Sequence, residues 1–214
     1  MTIYVPAHFA TDDADALARL MRDHPFATVI TPAGGELHVS HLPLLHVPEG
    51  GPHGTLVGHF ARANPHWQHA GDAESLVVFQ GPHAYVSPSW YAAPGRMVPT
   101  WNYAAVHAHG TLVPVAGDAE ARAVLAALVE RFEGARAAPW RLPTPSPQHD
   151  AMVGAIVAFR LPIRRVEGKF KLSQNRSAED RARVAQGLRD DGYAEAIATA
   201  EWMARYAGAK AAPE

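Results

Sequence analysis

The sequence predicts an α+β fold that is dominated by antiparallel strands. The 17 glycines and 18 prolines among 214 residues exceed the ~12% that is average for the pair, so turns must be frequent. Short runs rich in β-branched and aromatic residues alternate with these turn residues over most of the chain. Helical periodicity is confined to a few segments near the N-terminus, the middle and the C-terminus.

Composition and charge exclude several classes of protein. Hydrophobic residues make up 48% of the chain, which is enough for a packed core and excludes a wholly disordered chain. A net charge of −2 gives no global electrostatic basis for nucleic-acid binding. The absence of cysteine excludes disulfides, thiolate metal sites and cysteine nucleophiles. Because neither a secretory signal nor a run of ~18 apolar residues occurs, we expect a soluble cytoplasmic protein without a membrane segment.

The N-terminal half begins with a helix and continues as strands. Leu17, Leu20 and Met21 recur at helical spacing, and Thr11 is placed to cap a helix over 12–23. The segment 32–35 is typical of a hairpin turn, and Asn64 followed by proline is typical of the start of a short helical turn. The strands expected here are 26–31, 37–47, 55–62, 74–80 and 83–87.

The C-terminal half contains two long strands and three helices. We expect a strand over 100–115 and another over 155–165. The second strand can be entered from a helical turn and can continue to Leu172. A proline-rich surface connection precedes the second of these strands. The segment 177–180 resembles a capping box, and Gly192 separates the two helices that follow. The helices expected are 118–132, 177–189 and 193–204, and the whole chain then has six or seven antiparallel strands.

Four stretches carry more polar and aromatic detail than packing requires: 40–44, 58–67, 99–103 and 168–176. Side chains alternate across a strand, so Trp101, Tyr103, His107 and His109 share one face and small residues share the other. An aromatic and imidazole face can stack on a planar ligand. The alternative is a hydrated exterior or a subunit interface.

The stretch 168–176 contains the clearest anion-binding pattern. Lys169 and Lys171 share one strand face, and Ser173 and Gln174 follow where the strand should end. Cations beside neutral donors can satisfy phosphate oxygens, whereas the alternative is a solvated strand edge guarded by lysine. Arg62 and Asn64 could serve the same anion, although Asn64 could equally be no more than a helix cap.

Other chemistries are not supported. No nucleophile elbow, dinucleotide fingerprint or P-loop occurs. Two histidine pairs, at 66 and 69 and at 107 and 109, have workable metal-ligand spacing, but no carboxylate or thiolate completes either set, so no metal is expected. The last two helices superficially suggest helix-turn-helix, yet Glu195 and Glu201 would repel phosphates. We expect these helices to be a packing cap and do not expect direct DNA binding.

Six short sequence motifs, spread over nearly the whole chain, resemble those of the PaiB family of FMN-binding negative transcriptional regulators. That family is similar to the FMN-binding split β-barrel superfamily, which includes pyridoxamine-phosphate oxidases and flavin reductases. The matching motifs are YVP followed by HF at 4–9, HLPL at 41–44, GH and ARANP within 58–65, FQGPHAYVSPSWY at 79–91, VPTWNY at 98–103 and GKFKLSQNR at 168–176.

The resemblance implies a six-stranded Greek-key split barrel and a homodimer that holds FMN near the dimer interface. We expect the barrel domain to cover 1–176 and a C-terminal helical extension over 177–214 to pack on it. The resemblance also implies a flavin-dependent regulator or sensor. Because no residue stands out as a general acid or base, no catalytic residue is predicted. The alternatives are a flavin-dependent oxidoreductase, a haem-binding split barrel, and a barrel that has lost ligand binding and binds a partner protein. The FMN-binding residues that the resemblance implies are His41, Leu42, Pro43, His59, Arg62, Asn64, Thr100, Trp101, Asn102, Tyr103, Lys169, Lys171, Ser173 and Gln174.

Overall fold

The structure is a computed structural model that describes residues 3–144 and 146–206. Within these residues the chain forms nine β-strands and five α-helices. The strands are β1 (Ala10–Thr11), β2 (Phe26–Ala33), β3 (Glu36–Pro43), β4 (Leu45–Val47), β5 (Thr55–Ala61), β6 (Ser75–Val86), β7 (Thr100–Gly110), β8 (Val113–Pro114) and β9 (Ile156–Lys171). The helices are α1 (Ala14–Asp23), α2 (Asp118–Glu133), α3 (Pro147–Gly154), α4 (Ala178–Asp191) and α5 (Ala194–Tyr206).

The strands form one large sheet with hydrogen-bonded order β3-β2-β6-β7-β9-β5-β4, and β1 and β8 also pair with β9. The pairings whose register is resolved are antiparallel, as predicted. The predicted count of six strands is not confirmed. Among the described residues there are nine strands, and the hydrogen-bonded order runs from β3 to β4 without closing.

Several strand boundaries differ from the sequence expectation. The expected strand 37–47 is interrupted at Leu44, so that β4 leaves β3 and pairs with β5. The two strands expected over 74–80 and 83–87 are one continuous strand, β6, because Gly81 and Pro82 lie inside it rather than in a turn. The expected strand 100–115 ends at Gly110, and the short β8 follows.

The helices agree with their predicted positions except at two points. Asp13, and not Thr11, caps α1: its carboxylate accepts hydrogen bonds from the backbone N–H groups of Asp15 (3.0 Å) and Ala16 (3.1 Å). Helix α3 is longer than expected, since the sequence pattern predicts a proline-rich connection and no more than a helical turn before the strand at 155. The Ser177 cap of α4 is confirmed by a 3.1 Å bond from the Asp180 N–H.

The chain divides into two compact units, each of which is described by itself. The first unit contains the described residues within 1–20, 80–106 and 167–214, and the second contains those within 21–79 and 107–166. Within the described residues, no helix combines the length and apolar character that crossing a bilayer requires.

The core of the first unit includes α4, α5 and the end of β9. Phe170 packs edge-on against Trp202 and Tyr206, with ring centroids 5.3 and 5.1 Å apart. Gly168 permits close approach of β1 and α1, because a Cβ atom there would lie 2.4 Å from Leu17 and 2.7 Å from Thr11. The C-terminal helices thus contribute buried aromatic surface next to the lysine-bearing end of β9.

The core of the second unit lies between α2 and the strands β4, β5 and β9. Val57, Val124, Leu128 and Ala158 form its buried cluster. Phe60 of β5 and Phe159 of β9 add a second contact, with ring centroids 4.8 Å apart. Burial of these apolar side chains stabilises the unit.

Candidate functional site

The predicted FMN-binding residues fall into both units. The first unit contains the eight from the stretches 99–103 and 168–176: Thr100, Trp101, Asn102, Tyr103, Lys169, Lys171, Ser173 and Gln174. The second unit contains the other six: His41, Leu42, Pro43, His59, Arg62 and Asn64.

Lys169 is an unusually buried lysine, with 8% of its surface exposed. Its ammonium donates a 2.8 Å hydrogen bond to the Tyr4 carbonyl oxygen. It also lies 5.1 Å from the centroid of the Tyr4 ring and 5.3 Å from that of Tyr103. Two aromatic faces and one neutral oxygen therefore solvate this positive charge in place of a carboxylate.

Lys171 lies two residues further along β9 on the same face. Its ammonium donates to the Thr100 hydroxyl (2.7 Å) and to the Trp101 carbonyl. Burial lowers the pKa of Lys171 below its usual value, and the nearby positive charges of Lys169 and Arg176 lower it further. The folded protein therefore holds like charges together here at an electrostatic cost that a bound anion would relieve.

We call Lys169, Lys171 and Tyr103 the lysine face. Among the described residues, each polar contact of the two ammonium groups is made with a neutral oxygen, and no carboxylate pairs with either of them. Ammonium groups with neutral partners can accept a phosphate without first breaking an ion pair. The lysine face is thus chemically suited to a dianionic phosphate beside an aromatic wall.

Three other predicted residues of the first unit hold the end of β9, which carries the two lysines, in place. Asn102 is 1% exposed, and its amide donates to the Ser173 hydroxyl (2.9 Å) and to the Met203 sulfur (3.3 Å). Ser173 has a positive φ of 67°, a conformation that is uncommon outside glycine. The Gln174 side chain bonds to the backbone of Phe170 and Leu172. These three side chains fix the end of β9 and so position the two lysines.

Trp101 belongs to an aromatic group on the surface of the first unit. Its side chain is 51% exposed. The His83 ring lies 6.2 Å and the Tyr85 ring 6.3 Å from it, measured between centroids. The predicted alternation along β7 is confirmed, since Asn102, Ala104, Val106 and Ala108 are buried. His109 is also buried and contacts Arg165 and Glu74, so it does not extend the exposed aromatic face.

In the second unit, the segment 41–43 lies on β3, which pairs with β2. His41 is exposed, and its Nδ1 lies 3.0 Å from the Thr28 hydroxyl. The Phe26 ring is stacked near it at 6.3 Å. Leu42 and Pro43 are half-buried, so both present accessible surface.

Arg62 and Asn64 have structural partners within the second unit. The Arg62 guanidinium donates to the carbonyls of Gly154 and Ile156, and it lies 6.0 Å from the Trp67 ring. The Asn64 side chain accepts from the His66 N–H at 3.0 Å and thereby caps the helical turn, as predicted. Both side chains therefore support the structure of the second unit, and the exposed Arg62 guanidinium keeps N–H donors that these two carbonyls do not use.

A buried hydroxyl and imidazole network lies next to Asn64. The Ser40 hydroxyl bonds to His66 Nδ1 (2.9 Å), His66 Nε2 bonds to the Thr31 hydroxyl (2.8 Å), and Thr31 bonds to Ser75 (2.7 Å). Burial lowers the pKa of His66 to about 4, with smaller effects from His38 and His69. The His66 imidazole is therefore neutral at physiological pH and serves as a structural link.

His59 contains an unpaired buried atom. Its Nδ1 has no hydrogen-bond partner within the described residues, and burial lowers the pKa of the imidazole. A buried polar atom without a partner is expensive unless a ligand or water satisfies it. This observation fits the prediction that His59 lies beside a ligand.

The histidine pairs considered from the sequence do not form a metal centre in the structure. His38 stacks on His69 with ring centroids 3.8 Å apart, and His69 lies 3.4 Å from the Asp72 carboxylate. Nevertheless, in the part of the chain that the structure describes, no group of three or more potential ligands is arranged to hold a metal ion.

Four residues near the lysine face were not among the predicted site residues. Tyr4 and Phe9 contact the ammonium groups, Arg176 adds positive charge, and Met203 contacts Asn102. The first three lie in the sequence motifs that carry the family resemblance, so these motifs could have identified them as site residues. Met203 lies in an ordinary helical pattern, and nothing in the sequence distinguishes it.

Comparisons with known proteins agree with this chemistry. Residues 3–165 match the family model FMN_bind_2, described as "Putative FMN-binding domain". The chain is 35% identical over 204 residues to "Protease synthase and sporulation protein PAI 2" of Bacillus subtilis (strain 168), which covers 94% of this chain and 96% of that protein. It is 30% identical to the uncharacterized protein AFUA_5G13800 of Aspergillus fumigatus, over 87% of this chain and 90% of that protein.

Solved structures with the same fold include flavin- and haem-binding proteins. The FAD and heme binding protein from Mycobacterium smegmatis superposes with a TM-score of 0.61 at 21% identity, covering 81% of this chain and 78% of that one. The flavocytochrome Anf3 from Azotobacter vinelandii superposes with a TM-score of 0.61 at 16% identity, covering 84% and 78%. At these identities the likeness shows the fold alone. The family match and the Bacillus relative confirm the resemblance and the FMN prediction, and the chain belongs to the PaiB-type FMN_bind_2 family of FMN-binding domains.

Proposed function

We propose that this protein is a flavin-dependent regulator or sensor that holds the phosphate of FMN at the lysine face. The observation that carries the proposal is the pair Lys169 and Lys171, whose ammonium groups share a strand face and have only neutral partners among the described residues. FMN has a dianionic phosphate, a hydroxylated chain and an amphipathic ring system, so its site needs cations at one end and aromatic walls at the other.

The chain's own residues have distinct roles in this proposal. Lys169 and Lys171 bind phosphate oxygens, and Asn102, Ser173 and Gln174 hold the end of β9 in place. Trp101 and Tyr103 supply aromatic surface for the flavin ring, and Thr100 keeps the Lys171 ammonium in position. Bound FMN supplies a ring system that can be reduced and reoxidised. The six residues of the second unit remain predicted FMN contacts.

Titration of flavin-free protein with FMN, followed by flavin fluorescence, tests the proposal. We expect saturation at one FMN per chain. The proposal fails if FMN does not bind.

We propose further that the protein is a cytoplasmic homodimer with a split-barrel fold, and an exposed sheet face in the second unit supports the dimer. Paired residues on one side of β2, β3 and β6 include Ile30 opposite Val39 and Leu76. Leu37 is 58%, Val39 52% and Phe26 67% exposed, and the strand residues on this side include no Asp, Glu, Lys or Arg. An uncharged apolar face can pack against its own copy without like-charge repulsion, and such patches are typical of interfaces.

Substitution of this face tests the dimer. Val39→Glu places a charge at its centre and should convert the dimer to a monomer, as measured by size-exclusion chromatography with light scattering. Val113→Glu is the matched control, because Val113 is similarly exposed (50%) but lies on β8. A wild-type monomer, or two variants with the same mass, would contradict the proposed interface.

The regulatory role is proposed without direct DNA contact by the last two helices. Trp202 and Met203 of α5 are buried, and Glu195 and Glu201 would repel phosphates. A flavin-dependent oxidoreductase is the second candidate, since the half-exposed Trp101 lies beside His83 and Tyr85 and could face a planar substrate. Oxidation of a nicotinamide cofactor by the FMN-loaded protein at multiple-turnover rates would favour the enzyme over the sensor.

Haem binding is the third candidate, and His59 is its candidate ligand, because burial lowers the pKa of this imidazole and a neutral imidazole is a common haem ligand. Titration with haemin tests this alternative. A Soret band that His59→Ala abolishes would support it, whereas an unchanged band would exclude His59 as the ligand.

A further inference from the structure

The second unit contains an apolar pocket that no part of the proposed flavin chemistry uses. Its volume is about 300 Å³. Helices α2 and α3, the start of β9 and the connection 140–143 surround it. Its apolar lining includes Leu125, Val129, Trp140, Leu142, Met152 and Ile156.

Two large apolar side chains of the pocket lining are accessible to solvent. Trp140 is 54% and Met152 64% exposed, although both belong to the apolar lining. An indole ring and a thioether adapt well to flat apolar molecules. The backbone N–H of Trp140 donates a 3.1 Å hydrogen bond to the Glu133 carboxylate, which ties this part of the connection to α2.

The polar groups at one end of the pocket are already satisfied. The Arg122 guanidinium pairs with the Asp150 carboxylate. His149 Nδ1 lies 2.8 Å from the Ser146 hydroxyl and 3.2 Å from the Thr144 carbonyl oxygen. Because the charges compensate each other, the pocket offers no unpaired charge to a charged ligand. Its occupant should therefore be electrically neutral.

The volume limits the size of the occupant. An apolar cavity of roughly 150 Å³ stays dry and can hold benzene. This pocket has about twice that volume, about 300 Å³, and it opens to solvent at Trp140 and Met152, so it suits a molecule with two fused rings. We propose that this pocket binds a small, neutral, two-ring aromatic molecule of the indole class.

The probe that tests the pocket is 5-fluoroindole, observed by fluorine NMR with the full-length protein. We expect saturable binding to the flavin-free protein, since no residue of the lysine face lines the pocket. Trp140→Ala should weaken binding roughly threefold or more through loss of the aromatic wall. Met152→Ala, on α3, should also weaken it and provides a second variant if Trp140→Ala perturbs the connection.

Phe132→Ala is the matched control, because Phe132 is a partly exposed aromatic residue of α2 (41%) outside the pocket lining. It should leave the affinity for 5-fluoroindole unchanged. Absence of saturable binding to the wild-type protein would overturn the proposal. Equal affinity in Trp140→Ala, Met152→Ala and Phe132→Ala would place the probe elsewhere and would overturn it as well. None of these outcomes depends on whether the protein binds FMN.

Discussion

Replacement of Lys171 by methionine is the sharpest perturbation of the lysine face. Methionine keeps an unbranched apolar side chain of similar length but removes the ammonium that donates to Thr100 and Trp101. Thr100 is half-buried and Trp101 exposed, so water can replace the lost donor at both oxygens. The variant should therefore keep its fold and lose mainly its interaction with phosphate.

The expected magnitude follows from the type of bond that is lost. A hydrogen bond to a charged group contributes about 1.5–3 kcal/mol, and a tenfold change corresponds to about 1.4 kcal/mol. FMN affinity should thus fall roughly 10- to 150-fold. Without ligand, the variant should be as stable as the wild type or slightly more stable, because it no longer repels Lys169 and Arg176.

The assay compares FMN with riboflavin, which has the same ring and sugar chain but no phosphate. Lys171→Met should weaken FMN binding and leave riboflavin binding nearly unchanged. Arg164→Met is the matched control, since Arg164 is an exposed cation on the same strand outside the lysine face, and both flavins should bind it normally. Equal losses for FMN and riboflavin, or no loss for either, would refute the assignment of the phosphate.

Three further variants test the account. Between pH 6.5 and about 4, His66 is protonated in the unfolded chain but not in the folded chain. Lowering the pH through this range should therefore reduce the free energy of unfolding by up to roughly 3 kcal/mol. The His66→Gln variant should lose less stability over the same range, as measured by urea unfolding. Trp202→Ala removes the ring that packs on Phe170 and should destabilise the protein by about 3–5 kcal/mol in urea; a change below about 1 kcal/mol would contradict this packing. Val39→Glu should yield a monomer whose single chain keeps its circular dichroism spectrum, and precipitation or unfolding instead would mean that Val39 supports the fold.

Sequence patterns predicted the local structure best where one interaction decides it. The Ser177 cap, the Asn64 cap and the alternation along β7 depend on neighbouring residues, and all three are confirmed. The cap of α1 was assigned to Thr11, but Asp13 occupies the position from which a side chain reaches the first free N–H groups. Two residues with the same capping chemistry lay within one turn, and the pattern could not rank them.

Long-range pairing was harder to predict. Gly81 and Pro82 read as a turn, yet β6 continues through them, because partners elsewhere in the chain determine whether a segment remains extended. A Cβ atom at position 81 would lie 3.0 Å from Leu20 and 3.2 Å from the Ala104 carbonyl oxygen. The glycine is thus explained by close approach rather than by a turn.

The candidate site was predictable in composition and less so in its detailed contacts. The alternation of side chains along a strand predicts that Lys169 and Lys171 lie on one face, and the structure shows this arrangement. The contact of Met203 with Asn102 joins residues about a hundred positions apart, and no local pattern encodes it. The same holds for the Arg62 bonds to the Gly154 and Ile156 carbonyls, which give that arginine a structural partner.

The most direct test of the central claim is the identity of the flavin that the protein carries after purification. The visible absorption spectrum should show the bands of an oxidised flavin, and mass spectrometry of the material released on denaturation should identify FMN. FMN should be retained by the wild type and largely lost by the variant that combines Lys169→Met with Lys171→Met. A colourless protein that does not bind added FMN, or a double variant that retains FMN fully, would contradict the account.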